Sequence, residues 1–250
     1  RLVGSEMCIR DRHMFPAMTA SAADKLGMRA VMTRGLTGSD RNDKDGIRRY
    51  NEHMDERERF KGNDRITFKL GPHAIYTCGE DYLRWLIEKA HETEQEFHIH
   101  LSETTTEVQN CYKERSKSPV EYLNDIGFLD IKTCAAHCVH VSDSDMDILA
   151  EKHVSVIHNP KSNLKLANGT APVPRMMEKG INVCMGTDSQ ASNNDLNLFS
   201  DMNFAALLHK GATGCPTVCT AKEVLDFATV NGAKAPVSYT HLRAHETLMN

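Results

Sequence analysis

A chain of 250 residues with 40% hydrophobic and 26% charged side chains is long enough for one large globular domain. A formal net charge of -4, with lysines and arginines scattered rather than striped, argues against nucleic acid as the main partner and for a small-molecule substrate. No apolar run approaches the ~20 residues of a membrane helix, there is no signal-peptide pattern, and the eight cysteines form no CxxC pair, so they read as reduced thiols of a cytoplasmic protein with no membrane partner.

The first twelve residues, RLVGSEMCIRDR, show neither helical nor strand periodicity, and residues 236–250 break off a helix just as abruptly. Both strings resemble read-through peptides at the ends of translated sequencing assemblies. Residues 1–12 and 236–250, with His241 and His245, are therefore set aside as tails, and residues 13–235 are taken as part of a longer gene's product. From residue 13 helical segments alternate with short β-rich runs, the pattern of βα units feeding a parallel sheet. A helix over 17–26 leads to a strand over 28–33 and the triplet Arg34-Gly35-Leu36; a charged helix over 47–60 follows. A strand over 65–70 ends in Gly71-Pro72-His73, with a helix over 80–93 behind it. Residues 97–103, FHIHLSE, read as a strand running into a turn, then helices over 105–115 and 119–126. A strand over 132–136 ends in His137-Cys138-Val139-His140, and a helix over 142–152 leads to a strand over 153–157 ending in His158-Asn159-Pro160. After a loop over 161–169, read as lying near the mouth of the site, and a helix through Met176, a strand over 181–185 ends in Gly186-Thr187-Asp188. Helices over 196–210 and 221–233 complete the chain.

Of these six strands, five end in a polar or ionisable residue: Arg34, His73, Glu103, His137 and Asp188. In a (β/α)8 barrel the active site is built at the C-terminal strand ends, so this recurrence predicts an α/β fold, an incomplete TIM-type barrel of about six βα units. The missing pair of strands is expected on the N-terminal side. Alternation puts His98 and His100 on one face of their strand, with Glu103 just beyond it. His100 and Asp188 have the chemistry of two zinc ligands, imidazole and carboxylate. A catalytic zinc takes at least three, so either His98, His137 and His158 complete the set or the missing strands do. Zinc or another divalent metal would acidify a bound water, with Asp188 taking its proton, Glu103 passing it to a leaving nitrogen and His137 polarising the attacking oxygen.

The motifs HIHLSET, AAHCVH, SVIHNPKSNLKLANG, APVP and MGTDSQASNN resemble, in order and in spacing, the metal-dependent amidohydrolases, in particular the 5-methylthioadenosine/S-adenosylhomocysteine deaminases. The resemblance implies a barrel with one divalent metal, His100 and Asp188 among its ligands, Glu103 as the acid/base that protonates the purine ring and also contacts substrate, and His137 beside the attacking water. It carries the substrate-holding roles of an RGL arginine and a GPH histidine over to Arg34 and His73, and places a second substrate arginine near Arg48. Arg34 has an alternative reading as a structural ion-pair partner. His98 is expected to be a packed or supporting residue, and His158 and Asn159 either orient a loop or touch substrate. The family's first strand supplies a His-x-His pair of ligands, and its termini build a β-sandwich; neither is present in this sequence. The chain as given is therefore expected to bind zinc weakly and turn over little. Relatives often pair, which leaves a homo-oligomer open. The competing readings are guanine or cytosine deaminases and triazine hydrolases of the same superfamily, and an inactive fragment. The other zinc deaminase class, with its PCxxC ligands, is excluded by the absence of a CxxC.

Overall fold

The computed structural model describes residues 9–13, as backbone, and 16–235. The tails at 1–8 and 236–250, with Cys8, His241 and His245, lie outside the described residues. In chain order the elements are β1 (Ile9–His13), α1 (Pro16–Lys25), β2 (Ala30–Leu36), α2 (Lys44–Arg59), β3 (Ile66–Pro72), α3 (Glu80–Thr93), β4 (Phe97–Leu101), α4 (Thr105–Arg115), α5 (Pro119–Asp125), β5 (Thr133–His137), α6 (Asp143–Glu151), β6 (Ser155–His158), α7 (Pro160–Lys165), α8 (Val173–Glu178), β7 (Val183–Met185), α9 (Gln190–Asn193), α10 (Leu198–Thr213), α11 (Ala221–Ala228) and α12 (Val230–Lys234). The strands form one seven-stranded sheet in the order β1 to β7, every neighbouring pair parallel. Among the described residues β1 and β7 do not pair, so the sheet is an open arc of barrel strands.

The two faces of this arc follow from strand alternation. On β4, Phe97, Ile99 and Leu101 are fully buried against the helices, and Ala135, Val156 and Val183 continue that layer on β5 to β7. Phe97 anchors it, its ring stacked on Phe128 at 4.1 Å and 10°. The alternate positions turn the other way: Cys134, Ala136, Ile157 and Cys184 form a separate cluster on the face that in a barrel becomes the lumen. His98 and His100 belong to that second face by the same alternation. Strands β4 to β7 therefore deliver their helix-side residues to the core and their last residues to one rim.

Helix starts are set by side-chain caps. Ser118, Ser142 and Thr220 begin α5, α6 and α11, each with a capping box closed by Glu121, Asp145 and Glu223 respectively. Asp43 caps α2 by accepting from the N–H groups of Asp45 and Gly46, which starts the helix at Lys44, three residues before the first apolar position that the sequence pattern marks. Inside, His53 is fully buried, bonded to Gln95 at 2.8 Å, and burial holds its pKa down at about 4.

Four differences from the sequence reading have physical causes. A seventh strand, β1, falls largely in the stretch set aside; its five residues pair with β2, and pairing rather than local pattern defines it. The segment read as a loop over 161–169 begins with a helix, α7, because Pro160 at its first turn pre-sets the backbone and loses no bonded N–H there. The segment 190–193, unassigned in the sequence, forms the single turn α9, capped by Ser189. The last helix breaks at Thr229, whose φ of -125° and ψ of -89° lie outside the helical range.

Gly79, the cap of α3, lies where chains cross closely. Its N–H donates to the Gly38 carbonyl at 2.8 Å, and a Cβ there would lie 1.9 Å from the Ser39 carbonyl oxygen. Backbone cannot yield as a side chain tip can. Gly79→Ala is expected to cost about 3 kcal/mol or more, read as a lowered urea midpoint at unchanged m value; an unshifted midpoint would refute the close approach.

Candidate active site

The rim at the C-terminal strand ends collects the residues singled out from the sequence, in two groups. The first spans β3 to β5. The His73 carbonyl accepts from the His100 N–H at 3.1 Å and from His100 Nδ1 at 3.0 Å. A carbonyl can only accept, so Nδ1 carries the proton and Nε2 is the lone-pair nitrogen of His100. The rings of His73, His100 and His137 follow one another at centroid distances of 4.8 Å and 5.4 Å. His137, almost wholly buried at the end of β5, gives its Nδ1–H to Asn163 Oδ1 at 2.8 Å, so its basic Nε2 turns to Glu103 Oε2, 3.7 Å away. The other Glu103 oxygen, Oε1, accepts from Asn168 Nδ2 at 2.9 Å. At 3.7 Å the nitrogen and the carboxylate oxygen are too far apart for a direct hydrogen bond and converge on one point of the rim.

The second group is at the end of β7. Asp188 Oδ2 accepts from Ser162 Oγ at 2.5 Å and Oδ1 from the Ser189 N–H at 2.6 Å. Both groups share a backbone device: Ser102, His137, Cys138 and Asp188 have φ of 49°, 73°, 46° and 62°, the left-handed region that residues with a Cβ seldom occupy.

One short segment serves both groups. Ser162, Asn163 and Asn168, on α7 and the turn after it, hold Asp188, His137 and Glu103 respectively. Lys161 and Lys165 bind the following loop through Asp195 at 2.9 Å and Asn194 at 2.5 Å. The sequence reading puts 161–169 near the mouth of the site, with Lys165 solvated, and gives Ser162, Asn163 and Asn168 no role. The signal that could have found them is the spacing of Asn159, Ser162 and Asn163, which share one helical face once the segment is recognised as a helix.

The remaining candidates fall elsewhere. His98 is buried one layer below His100. His158 is buried on the helix side, where its Nε2 meets His209 Nε2 of α10 at 3.0 Å; burial first, and His209 and His137 next, hold its pKa well below the ordinary value. Arg34 is bound through Nε and Nη2 to Glu52 Oε2 at 3.1 Å and 2.8 Å, the ion-pair alternative, with Nη1 buried and unbonded. Arg48 lies exposed, joined to Asp45 and Glu52 on its own helix. Its neighbour Arg49 instead lines a cavity of about 430 Å³ with Thr37, Ser39, Asp43, Asp45, Tyr76 and Thr77, and Arg49 Nε is buried without a partner. That cavity adjoins the first group, because Thr77 Oγ1 bonds His73 Nδ1 at 3.0 Å and Tyr76 lies edge-on to the His73 ring.

A divalent metal was expected here. His100 is in the tautomer that offers Nε2 to a cation, and Asp188 is a carboxylate steadied from two sides, so the chemistry of both donors fits. The number does not: among the described residues no three His, Cys, Asp or Glu side chains come together as a metal site. The dialysed chain is accordingly expected to hold well under about one zinc, and Asp188→Asn less still, by metal analysis; stoichiometric retention would show a fuller ligand set.

A parallel βα arc with imidazoles and carboxylates at its C-terminal rim is an enzyme site of the barrel class, and the chain belongs to the amidohydrolase family, which residues 9–236 match. It is 44% identical over 230 residues to 5-methylthioadenosine/S-adenosylhomocysteine deaminase of Thermoanaerobacter pseudethanolicus, covering 90% of this chain and 52% of that protein. It is likewise 44% identical over 237 residues to 5'-deoxyadenosine deaminase of Methanosarcina acetivorans, with 90% and 52% covered. Among solved structures, a zinc-bound adenosine deaminase from Xanthomonas campestris superposes with a TM-score of 0.85 at 27% identity, over 90% of this chain and 52% of that one. The chain thus spans about half the length of the relatives it matches.

Proposed function

We propose that this chain carries the substrate-binding and proton-transfer part of a hydrolytic deaminase of adenine nucleosides modified at the 5' position, with S-adenosylhomocysteine and 5-methylthioadenosine as substrates. The observation that carries this reading is the convergence of His137 Nε2 and Glu103 Oε2, 3.7 Å apart, on one point of the rim beside which the attacking water is placed. His137 Nε2 accepts a hydrogen bond from that water and aims its oxygen at the ring carbon bearing the amino group. Asp188 takes a proton from the attacking water and Glu103, entering as the acid, gives one to the ring nitrogen. Glu103 then takes the proton of the new hydroxyl as the carbonyl forms and passes it to the departing amine, and the proton held by Asp188 restores Glu103. Ammonia leaves and the ring keeps the oxygen as a carbonyl. A divalent metal, with His100 and Asp188 among its ligands, would supply the acidity that makes water a nucleophile at neutral pH. Its ligand set is incomplete here, and none of these steps is routed through it. His73 and Arg34 hold the nucleoside, Arg34 with its guanidinium oriented by Glu52 through Nε and Nη2.

The reading is supported by the family and by the names of two relatives. A cytoplasmic setting is supported by the seven described cysteines, none in a disulfide. No described helix is long and apolar enough to cross a membrane. Ammonia release with zinc in excess, from S-adenosylhomocysteine, 5-methylthioadenosine, 5'-deoxyadenosine and guanine, tests it. Slow, zinc-dependent release from the adenine compounds is expected; no release, or release from guanine alone, overturns it.

The cavity beside His73 refines the choice of substrate. Arg49 lines it as a cation suited to a carboxylate, and Asp45, already joined to Arg48, lines it as well. Arg49→Ala is expected to weaken S-adenosylhomocysteine binding by roughly 30-fold in calorimetry and to leave 5'-deoxyadenosine unchanged. Equal weakening of both would take Arg49 out of the substrate-tail role.

A further inference from the structure

Glu107 is the buried acid that neither the motifs nor the proposed chemistry accounts for. It is 4% exposed, on the first turn of α4, four residues past Glu103. Thr104 caps that helix, its Oγ1 accepting from the Glu107 N–H at 3.0 Å. In the three ordinary capping boxes of this chain the acid three residues on reaches back to the cap's own N–H: Glu121 to Ser118 at 2.8 Å, Asp145 to Ser142 at 2.8 Å and Glu223 to Thr220 at 2.7 Å. Glu107 does something else. It reaches past Thr104, taking the Glu103 N–H on Oε2 at 2.8 Å and the Ser102 N–H on Oε1 at 3.1 Å.

Those two N–H groups belong to the turn that ends β4, where Ser102 is left-handed with a φ of 49°. The same turn carries load from the next strand: the Ser102 carbonyl accepts from the N–H groups of Val139 and His140, both at 3.0 Å, directly after His137 and Cys138. A single carboxylate therefore fixes the backbone under Glu103 and, through Ser102, the strand end that carries His137. Burial pushes the Glu107 pKa up to about 7, against the pull of its two backbone donors; a buried acid of this kind is costly where it serves the helix alone.

We infer that Glu107 is a positioning residue of the active site, holding the Ser102–Glu103 turn so that Glu103 and His137 face one another across the 3.7 Å gap. Its catalytic consequence rests on the proposed deaminase reading; its structural consequence does not. The test is amide hydrogen exchange on the whole chain, with E107Q compared against E223Q, the same chemical change in an ordinary capping box far along the chain. Glutamine puts an NH2 against one of the two N–H groups, so exchange at Ser102 and Glu103 is expected to rise about ten-fold or more in E107Q, with β2 and α3 unchanged. E223Q is expected to affect only the start of α11. In ammonia release E107Q is expected to lower kcat on the order of 100-fold at unchanged KM, and E223Q to change neither. E107D, a carboxylate one methylene short, is expected to fall between wild type and E107Q, and serves in its place if E107Q does not fold. Unchanged exchange at Ser102 and Glu103, uniform acceleration throughout the chain, or a raised KM at constant kcat would overturn the assignment. If wild type releases no ammonia, the deaminase reading falls, and the exchange result still decides the role of Glu107.

Discussion

Glu103→Gln is expected to lower turnover roughly a thousand-fold while leaving nucleoside affinity within about two-fold. Glutamine is nearly isosteric, and its carbonyl can keep the bond that Asn168 Nδ2 makes to Oε1 at 2.9 Å. Its NH2 would then face His137 Nε2 across a gap of the same order as the present 3.7 Å. The cradle survives; the exchangeable proton does not. A fall in rate without a fall in affinity separates proton transfer from binding, so ammonia release and calorimetry must be read together. A variant that keeps most of its rate would remove Glu103 from the chemistry, and one that loses affinity in proportion would make it a binding residue only.

Phe97→Ala is expected to be the most destabilising of the substitutions considered, at about 4 kcal/mol. The ring has no exposed surface and lies nearly parallel on Phe128 at 4.1 Å, so its removal forfeits apolar burial and a stacked aromatic pair and leaves a hole at the start of β4. For a chain of this size such a loss lowers the melting temperature by about 10 °C. The effect reaches the site because Phe97 pairs with Leu70 on β3 and with Thr133 on β5, the strands that end near His73 and in His137. Calorimetric melting of the variant checks it. A shift of only a degree or two would mean that neighbouring side chains close the hole.

How much of this was legible in the sequence differs by level. The alternation in FHIHL correctly separates the helix-side Phe97, Ile99 and Leu101 from His98 and His100, because period two is a property of the chain itself. Helices α3 and α4 begin and end where their apolar spacing and flanking residues say, since those signals are local. The partners of the reactive residues were not legible. That Asn163 orients His137 and Ser162 steadies Asp188 depends on α7 meeting strand ends 26 residues away in each case, which no local pattern encodes. That Arg49 rather than Arg48 lines the cavity has a related cause: adjacent residues on a helix point about 100° apart, and only the fold decides which direction is the cavity. Arg34 combines both cases, placed at a strand end as expected yet bound to Glu52 of α2, an acid no motif marked.

The left-handed backbone at Ser102, His137, Cys138 and Asp188 sets a limit on how this chain can be improved. Each such residue costs on the order of 1 kcal/mol that glycine would not. Selection for heat resistance alone would favour glycine at these four positions and would erase the reactive side chains among them. Thermal robustness and chemistry therefore compete at the same residues, and a hardier version of this protein has to gain its stability elsewhere, in the helix layer or the caps.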